Sequence, residues 1–153
     1  MTATNFITSA QRTIKMEADA VAELQHRLDD SFVTACETML ACEGRVIVTG
    51  MGKSGHIGNK IAATLASTGT PSFFVHPGEA SHGDLGMITK NDVVIVISNS
   101  GSTAEVITIL PLIKRLGIPM ISMTGDPGSV LSQAARANLD VSVTSEACPL
   151  NLA

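Results

Sequence analysis

The chain has no tryptophan and no tyrosine, so four phenylalanines are its only large aromatic side chains apart from histidine. A basic excess is missing as well, because 10 Lys and Arg residues stand against 14 Asp and Glu, which gives a formal net charge of −4. Nucleic-acid sites need a cationic surface for the phosphates and commonly stack bases on aromatic rings. The composition therefore argues against a nucleic-acid partner, and any anion must be bound by a local group of donors.

Cysteine is scarce, and the three cysteines, Cys36, Cys42 and Cys148, form no CxxC pair. This usage is typical of a reducing compartment rather than of a disulfide framework. Long apolar runs are missing too, since charged residues such as Arg12 and Lys15 interrupt the helical pattern near the N-terminus, and nothing there resembles a signal peptide or a membrane span. The sequence predicts a cytoplasmic protein without a membrane partner.

What the chain does have is aliphatic side chains, and 44% of its 153 residues are hydrophobic. That is enough for one domain with a substantial core, and no repeat, low-complexity tract or linker indicates a second domain. The Ala, Val, Ile, Leu and Met content exceeds what one small core needs, which predicts that part of it covers subunit interfaces. We therefore expect a single domain over residues 1–153 that forms a homo-oligomer.

Apolar residues near a seven-residue spacing from Ile7 to Leu28, and at helical spacing from Phe32 to Leu40, predict two opening helices. After Gly44 the period changes, and five short apolar or β-branched runs bounded by Gly, Pro or Asp predict strands. The predicted strands are Arg45–Thr49, Pro71–Val75, Val93–Ile97, Pro119–Met123 and Leu139–Val143.

Helical patterning lies between these strands, in Ile57–Ala66, Ala104–Leu116 and Val130–Ala137. The Gly-rich connection Gly78–Gly86 predicts a loop with a short turn of helix. Pro111 removes an N–H group inside the second helix, which predicts a kink or a division into two shorter helices. The alternation with nearly continuous apolar strands predicts an α/β fold, a doubly wound five-stranded parallel sheet flanked by helices.

Two loops of the size that binds phosphate each follow a predicted strand and open a helix: Gly50–Gly55 and Ser98–Thr103. Helix N-termini present unpaired N–H donors and partial positive charge, and the carboxyl ends of parallel strands meet at one edge of a sheet. Three hydroxyls of the second loop, with Gly101 allowing close approach of backbone amides, suit a phosphate group without any arginine. The two loops therefore predict one site for a small anionic ligand, such as a phosphorylated metabolite.

The first loop also matches two nucleotide motifs in part. Gly50-x-Gly52-x-x-Gly55 is the dinucleotide fingerprint, but that motif needs an acidic residue at the end of the second strand, where His76 stands. Gly52-Lys53-Ser54 imitates the end of a P-loop, but Ile47 occupies the position of its first glycine. The remaining alternative is a tight strand-to-helix turn whose lysine faces solvent.

Two carboxylates, Glu105 and Glu146, follow the third and fifth predicted strands and are candidates for acid–base work. The alternative for Glu105 is a Ser102-x-x-Glu105 capping box, and the alternative for Glu146 is an ordinary loop carboxylate. His76 and His82 match no structural zinc spacing, so hydrogen-bonding loop histidines are the alternative to metal ligands.

Four long blocks resemble the bacterial D-arabinose 5-phosphate isomerases, whose sugar isomerase (SIS) domain also carries the Ser98–Thr103 loop. The blocks are Gly50–Gly58, Ser67–Ala80, His82–Gly86 and Glu146–Leu150. The resemblance covers most of the chain and implies the interconversion of D-ribulose 5-phosphate and D-arabinose 5-phosphate through an enediol. It further implies that the product supplies the Kdo sugar of lipopolysaccharide.

By position, the resemblance implies that Lys53, Glu105 and Glu146 are catalytic. It implies a sugar-phosphate pocket made by Ser54, Gly69, Thr70, His82, Ser98, Asn99, Ser100, Gly101 and Thr103. His76 matches a metal-binding histidine, with zinc inhibitory and no cofactor required. The family assembles as homotetramers whose active sites are completed across subunits.

Members of the family continue beyond the position of Ala153, through a segment with another catalytic histidine and usually a pair of CBS domains. We therefore expect a single SIS domain that is incomplete at its C-terminus. Two alternatives remain: a non-catalytic SIS module that senses a sugar phosphate, and an isomerase of another phosphosugar. The joint presence of Lys53, Glu105 and Glu146 favours the enzyme.

Overall fold

The structure is a computed structural model that describes residues 3–80, 84–148 and 150. It divides into two compact units. One unit is Asp29–Val141, and the other combines the chain up to Leu28 with the chain from Ser142 onward. Every residue that lines the candidate cleft described below belongs to the larger unit.

The larger unit contains a five-stranded sheet in the order β2-β1-β3-β4-β5, in which every neighbouring pair is parallel. The strands are β1 (Val46–Gly50), β2 (Ser72–Val75), β3 (Val93–Ile97), β4 (Met120–Thr124) and β5 (Ala137–Asp140). This confirms the predicted five-stranded parallel α/β fold.

Helices connect and cover the strands. They are α1 (Ala3–Glu23), α2 (Asp30–Leu40), α3 (Gly52–Ser67), α4 (Pro77–Ala80), α5 (Ala104–Leu116) and α6 (Val130–Ala134), with 3₁₀ turns at Leu24–Arg27 and Asp84–Met87. The two predicted opening helices and the short helical turn in the Gly-rich connection are confirmed. Residues 81–83 of that connection lie outside the described part of the chain.

Alternate residues of the strands pack into two hydrophobic layers, one on each face of the sheet. Ile47 faces the layer that includes Ile109 and Leu131 from α5 and α6. Its neighbours Val46 and Val48 face the layer that includes Ala35 and Ala62 from α2 and α3. Both faces are covered, which explains why the central strands β1 and β3 are mostly apolar.

Several element boundaries differ from prediction. Helix α3 begins at Gly52 and not at Ile57, because Gly55 N–H already bonds to Met51 O and the glycine loop itself forms the first helical turn. Helix α6 ends at Ala134, and β5 starts at Ala137, two residues before the predicted Leu139.

Strand β5 is placed by its pairing with β4 rather than by its own apolar pattern. Ala137 is in register with Ile121. The ladder is continued on either side by Arg136 N–H bonding to Met120 O and Val141 N–H bonding to Thr124 O. The hydrogen bonds of the neighbouring strand therefore decide where β5 begins.

Helix α5 runs unbroken through Pro111, so the alternative of two shorter helices is wrong, and a kink at Pro111 stays a prediction. Proline removes one main-chain donor from the helix. The buried face of α5, which includes Val106, Ile109 and Ile113, packs on the sheet and stabilises the helix despite that loss.

In the smaller unit, α1 carries an ion pair between Lys15 and Asp19, whose Nζ and Oδ2 are 3.0 Å apart. The Arg27 guanidinium donates a hydrogen bond to Ser142 O. The apolar residues at seven-residue spacing are exposed, with Ile14 66% and Val21 68% accessible. Self-association through such residues stays a prediction.

Among the described helices, none combines the length and the apolar character that crossing a membrane requires.

Candidate functional site

The strand order reverses between β1 and β3. Strand β2 lies on one side of β1, and β3 lies on the other. The chain therefore passes from β1 toward the β2 edge strand and from β3 toward the β5 edge strand. In open α/β sheets a crevice forms at the carboxyl ends of the strands at such a reversal. Gly50 and Ile97, the last residues of β1 and β3, are register partners at this point.

The two predicted phosphate-sized loops meet in this crevice. A single open cleft of about 360 Å³ is lined from both sides. Its lining residues are Met51, Lys53, Ser54, Ile97, Ser98, Asn99, Ser100 and Thr103. The structure therefore brings together one lysine and five of the nine residues that the resemblance assigns to substrate binding.

The Ser98–Thr103 loop is closed by its own hydroxyls. Ser98 is buried, and its Oγ lies 2.9 Å from Thr103 Oγ1. Gly101 N–H bonds to Ser98 O, which makes a turn, and Ser102 N–H donates to Ser100 Oγ over 3.3 Å. Polar residues of the loop thus line the cleft at the carboxyl end of β3.

Gly101 is required at its position for two reasons. Its φ of +60° lies in the left-handed region, which residues other than glycine rarely adopt. A Cβ there would also overlap Ser129 Oγ, which packs directly behind the loop. The packing of the loop against Ser129 therefore requires glycine here, and close approach of the Gly101 backbone to a phosphate stays a prediction.

Helix α5 begins immediately after this loop, with Thr103 as its N-cap residue. The Thr103 side chain makes no capping bond, because its hydroxyl pairs with Ser98. Among the described residues, no side chain caps the first N–H groups of α5, which also have no intrahelical acceptor, and the positive end of the helix dipole lies at the cleft. This arrangement suits an anion.

The alternative interpretation of Glu105 as half of a capping box is wrong. That motif requires Ser102 as the N-cap, but α5 starts one residue later, and Ser102 N–H bonds to Ser100 instead. Glu105 is exposed in the first turn of α5, two residues beyond the cleft-lining Thr103. Its carboxylate forms no hydrogen bond or ion pair within the described residues.

Lys53 and Ser54 lie in the first turn of α3. The turn sits close to the sheet because Gly55 has no side chain, and a Cβ there would lie 2.7 Å from Gly50 O. Lys53 is exposed, and no acceptor or acidic partner for its ammonium group occurs in the part of the chain that is described. It therefore contributes an unneutralised positive charge to the cleft.

Gly69 and Thr70 lie at the opposite edge of the sheet. They precede β2, whose first residue, Ser72, pairs with Val46 at the amino end of β1. The length of β1 separates that edge from the cleft by about 13 Å. Within one chain, the structure does not bring these two residues into the cleft.

His76 follows the carboxyl end of β2, and its Nδ1 accepts a hydrogen bond from Gly78 N–H over 3.2 Å. Metal-bound histidines usually donate from their second ring nitrogen, whereas here that nitrogen is an acceptor. No group of three His, Cys, Asp or Glu side chains among the described residues could hold a metal ion. Zinc binding by His76 therefore stays a prediction. His82 lies outside the described residues.

Glu146 belongs to the smaller unit, where its side chain is partly buried. Its predicted approach to Lys53 and Glu105 stays a prediction.

Sequence reasoning missed the support behind the second loop. The turn Gly125–Ser129, between β4 and α6, contacts Asn99 and Gly101 and contributes no residue to the lining of the cleft. The Gly-Asp-Pro-Gly run at 125–128 indicates a turn, but no local pattern tells which loop it touches.

A second cleft, of about 400 Å³, lies at the amino edge of the sheet beside Val93 and Pro119. Its rim mixes acids and bases, and its floor includes the buried Asp92, whose oxygens accept from Arg45 N–H over 2.7 Å and Thr89 N–H over 2.6 Å. Asp92 is thus occupied with the backbone. No loop that opens a helix reaches this cleft within the described residues, so the carboxyl edge remains the candidate site.

Comparisons with known proteins agree with this geometry. The chain is 72% identical over 149 residues to the Pseudomonas aeruginosa (strain PAO1) protein named arabinose 5-phosphate isomerase KdsD, covering 97% of this chain and 46% of that protein. It is 54% identical to the protein of the same name from Escherichia coli (strain K12), covering 97% of this chain and 45% of that protein. The chain thus spans about half the length of these curated relatives.

A solved structure has the same fold with a bound ligand. The E. coli CFT073 protein c3406 in complex with arabinose 5-phosphate superposes with a TM-score of 0.94 and 45% sequence identity, covering 100% of this chain and 81% of that one. The SIS domain family matches residues 39–153, which include every strand of the sheet and both loops of the cleft. The chain therefore belongs to the SIS domain family.

Proposed function

We propose that this chain is the isomerase domain of an aldose–ketose isomerase that interconverts D-ribulose 5-phosphate and D-arabinose 5-phosphate through an enediol. The observation that carries the proposal is the cleft that Lys53 lines together with the hydroxyl-bearing Ser98–Thr103 loop. Relatives named arabinose 5-phosphate isomerase, and a solved neighbour in complex with arabinose 5-phosphate, favour this substrate pair over other phosphosugars.

The phosphate binds at the second loop in this proposal. Ser100 supplies one hydroxyl donor, and the Ser98–Thr103 pair supplies a second, because only one of its two O–H groups is used between them. The first N–H groups of α5 supply backbone donors. Binding energy gained at the phosphate orients the carbons that react at the other end of the substrate. The polar lining explains how a chain of net negative charge binds an anion without arginine.

The reaction moves one proton between carbons and one between oxygens. Glu105 removes the proton from C1 of ribulose 5-phosphate and returns it to C2, while Lys53 stabilises the oxygen on which negative charge develops. Glu146 acts as a second acid–base group or orients the substrate. Glu105 suits its role because it is exposed beside the cleft and is not engaged with another described residue.

The same proposal places the product in the supply of Kdo for lipopolysaccharide, with no cofactor required. It also includes a homo-oligomeric assembly, in which Gly69 and Thr70 reach a cleft only if that cleft belongs to another copy of the chain.

A solvent-exchange assay tests the function. Ribulose 5-phosphate is incubated with the intact protein in deuterated water, and arabinose 5-phosphate is analysed by mass and NMR. We expect deuterium at C2, because the enediol is protonated there by a group in exchange with solvent. Six- and seven-carbon ketose phosphates serve as controls. Binding of arabinose 5-phosphate without turnover would favour a sensing module, and faster turnover of a longer sugar would favour another phosphosugar isomerase.

A further inference from the structure

The back of the Ser98–Thr103 loop is held by the end of β4 and the turn that follows it. Ser98 N–H donates to Met123 O over 3.1 Å, and Gly125 N–H donates to Asn99 O over 2.8 Å. Leu131 N–H donates to Gly101 O over 3.1 Å. Main-chain hydrogen bonds to Met123, Gly125 and Leu131 therefore set the path of the loop.

Position 125 requires glycine because of its contact with Asn99 and not because of its backbone conformation. Its φ lies outside the left-handed region, so any residue could adopt its conformation. A Cβ at Gly125, however, would overlap Asn99 Oδ1 and lie 3.1 Å from Asn99 O. The amide oxygen of Asn99 occupies the space that a side chain at position 125 would fill.

Asn99 is itself exposed and lines the cleft. Because its amide oxygen faces Gly125, its NH₂ group, a double donor, lies on the far side of the amide. An alanine at position 125 would displace that amide while leaving the sheet and the loop sequence unchanged.

We propose that Gly125 is a positioning residue for substrate binding, which acts by holding the Asn99 amide where it donates to the bound sugar phosphate. This inference rests on the proposed function. The β4–α6 turn would thus take part in substrate binding without touching the substrate, by fixing the position of the Asn99 amide.

A double-mutant cycle tests the proposal in the intact protein, with Gly125→Ala, Asn99→Ala and the double variant. The measurements are the Kd of arabinose 5-phosphate by calorimetry and the KM and kcat of the isomerisation. We expect each single variant to raise Kd and KM about tenfold, as for loss of one hydrogen bond to a charged group, with kcat changed less than KM. The double variant should be no weaker than Asn99→Ala, because the group that Gly125 positions is then already absent.

Gly128→Ala is the matched control, since it lies in the same turn and its Cβ would approach only the flexible Asp126 side chain, at 3.2 Å. We expect wild-type Kd and KM for it. If Gly125→Ala does not fold, the double variant still decides the matter, because removing the Asn99 amide relieves the overlap with Oδ1 and leaves only the 3.1 Å approach to Asn99 O, which a small shift accommodates. The double variant should then fold with the Kd of Asn99→Ala.

The outcomes are distinguishable. If Gly125→Ala weakens arabinose 5-phosphate binding by the same factor with and without the Asn99 amide, that result overturns the positioning role. An unchanged Kd in Gly125→Ala overturns it as well. Both results leave the proposed function intact. A wild-type protein that binds no arabinose 5-phosphate overturns the proposed function, and the inference with it.

Discussion

Ser98 Oγ and Thr103 Oγ1 lie 2.9 Å apart, so the first and last hydroxyls of the loop that follows β3 are joined. This contact closes the loop across five residues. It also removes Thr103 from the capping role that its place before α5 would otherwise favour.

Replacing Thr103 by valine keeps the shape of the side chain and removes its hydroxyl. We expect KM for ribulose 5-phosphate to rise about tenfold, because a donor to the phosphate and the closure of the loop are both lost. Steady-state kinetics measure the effect. Thr108→Val on the exposed face of the same helix, where the hydroxyl bonds only to Ala104 O among the described residues, should leave KM unchanged. Equal effects of the two variants would assign the Thr103 contribution to helix stability.

Replacing Glu105 by glutamine removes the group that shuttles the proton. We expect kcat to fall at least about 100-fold while the Kd of arabinose 5-phosphate stays near that of the wild type, because general base catalysis needs the carboxylate and ground-state binding does not. Deuterium incorporation at C2 should fall in parallel. Glu43→Gln, beside the cleft at the amino edge, is the control. Undiminished turnover in Glu105→Gln would refute the assigned role.

Replacing Lys53 by methionine removes the positive charge of the cleft and keeps most of the side-chain length. We expect a loss of about 100-fold in kcat, the size found when one group that stabilises a developing oxyanion is removed. Lys60 is exposed on the same face of α3, two turns further along, and Lys60→Met is the matched control. Similar losses in both variants would indicate a general electrostatic effect rather than a local one.

Thr49 provides a stability test away from the chemistry. Its hydroxyl is buried, with 3% of the residue accessible, and finds no hydrogen-bond partner among the described residues. We expect Thr49→Val to raise the free energy of unfolding by about 1 kcal/mol, because an unsatisfied buried hydroxyl is removed without a change in shape. Urea denaturation measures the change. Thr38→Val, which breaks the 2.6 Å bond of a buried hydroxyl to Thr34 O, should not stabilise the protein. A destabilised Thr49→Val would mean that this hydroxyl is bonded in solution.

How far the sequence predicts the site differs from residue to residue. Ser98, Ser100 and Lys53 were predictable, because each follows an apolar run that indicates a strand and the ends of parallel strands converge. The capping box at Ser102 was a wrong local interpretation, because the competing Ser98–Thr103 bond depends on how the loop closes. The local signal at Gly125 was only that of a turn, since its special contact is with Asn99, 26 positions earlier in the chain.

The amino-acid sequence by itself determined the class of fold and the chemistry available at the cleft. Apolar runs separated by helical patterns specify a covered parallel sheet, and the loop residues specify hydroxyls and an ammonium group, because both properties are local. Only the tertiary structure decided the start of β5, the continuity of α5 through Pro111, the placement of Gly69 and Thr70 at the far edge, and the support of Asn99 by Gly125. These depend on strand register and on contacts between distant segments, which the order of neighbouring residues does not contain.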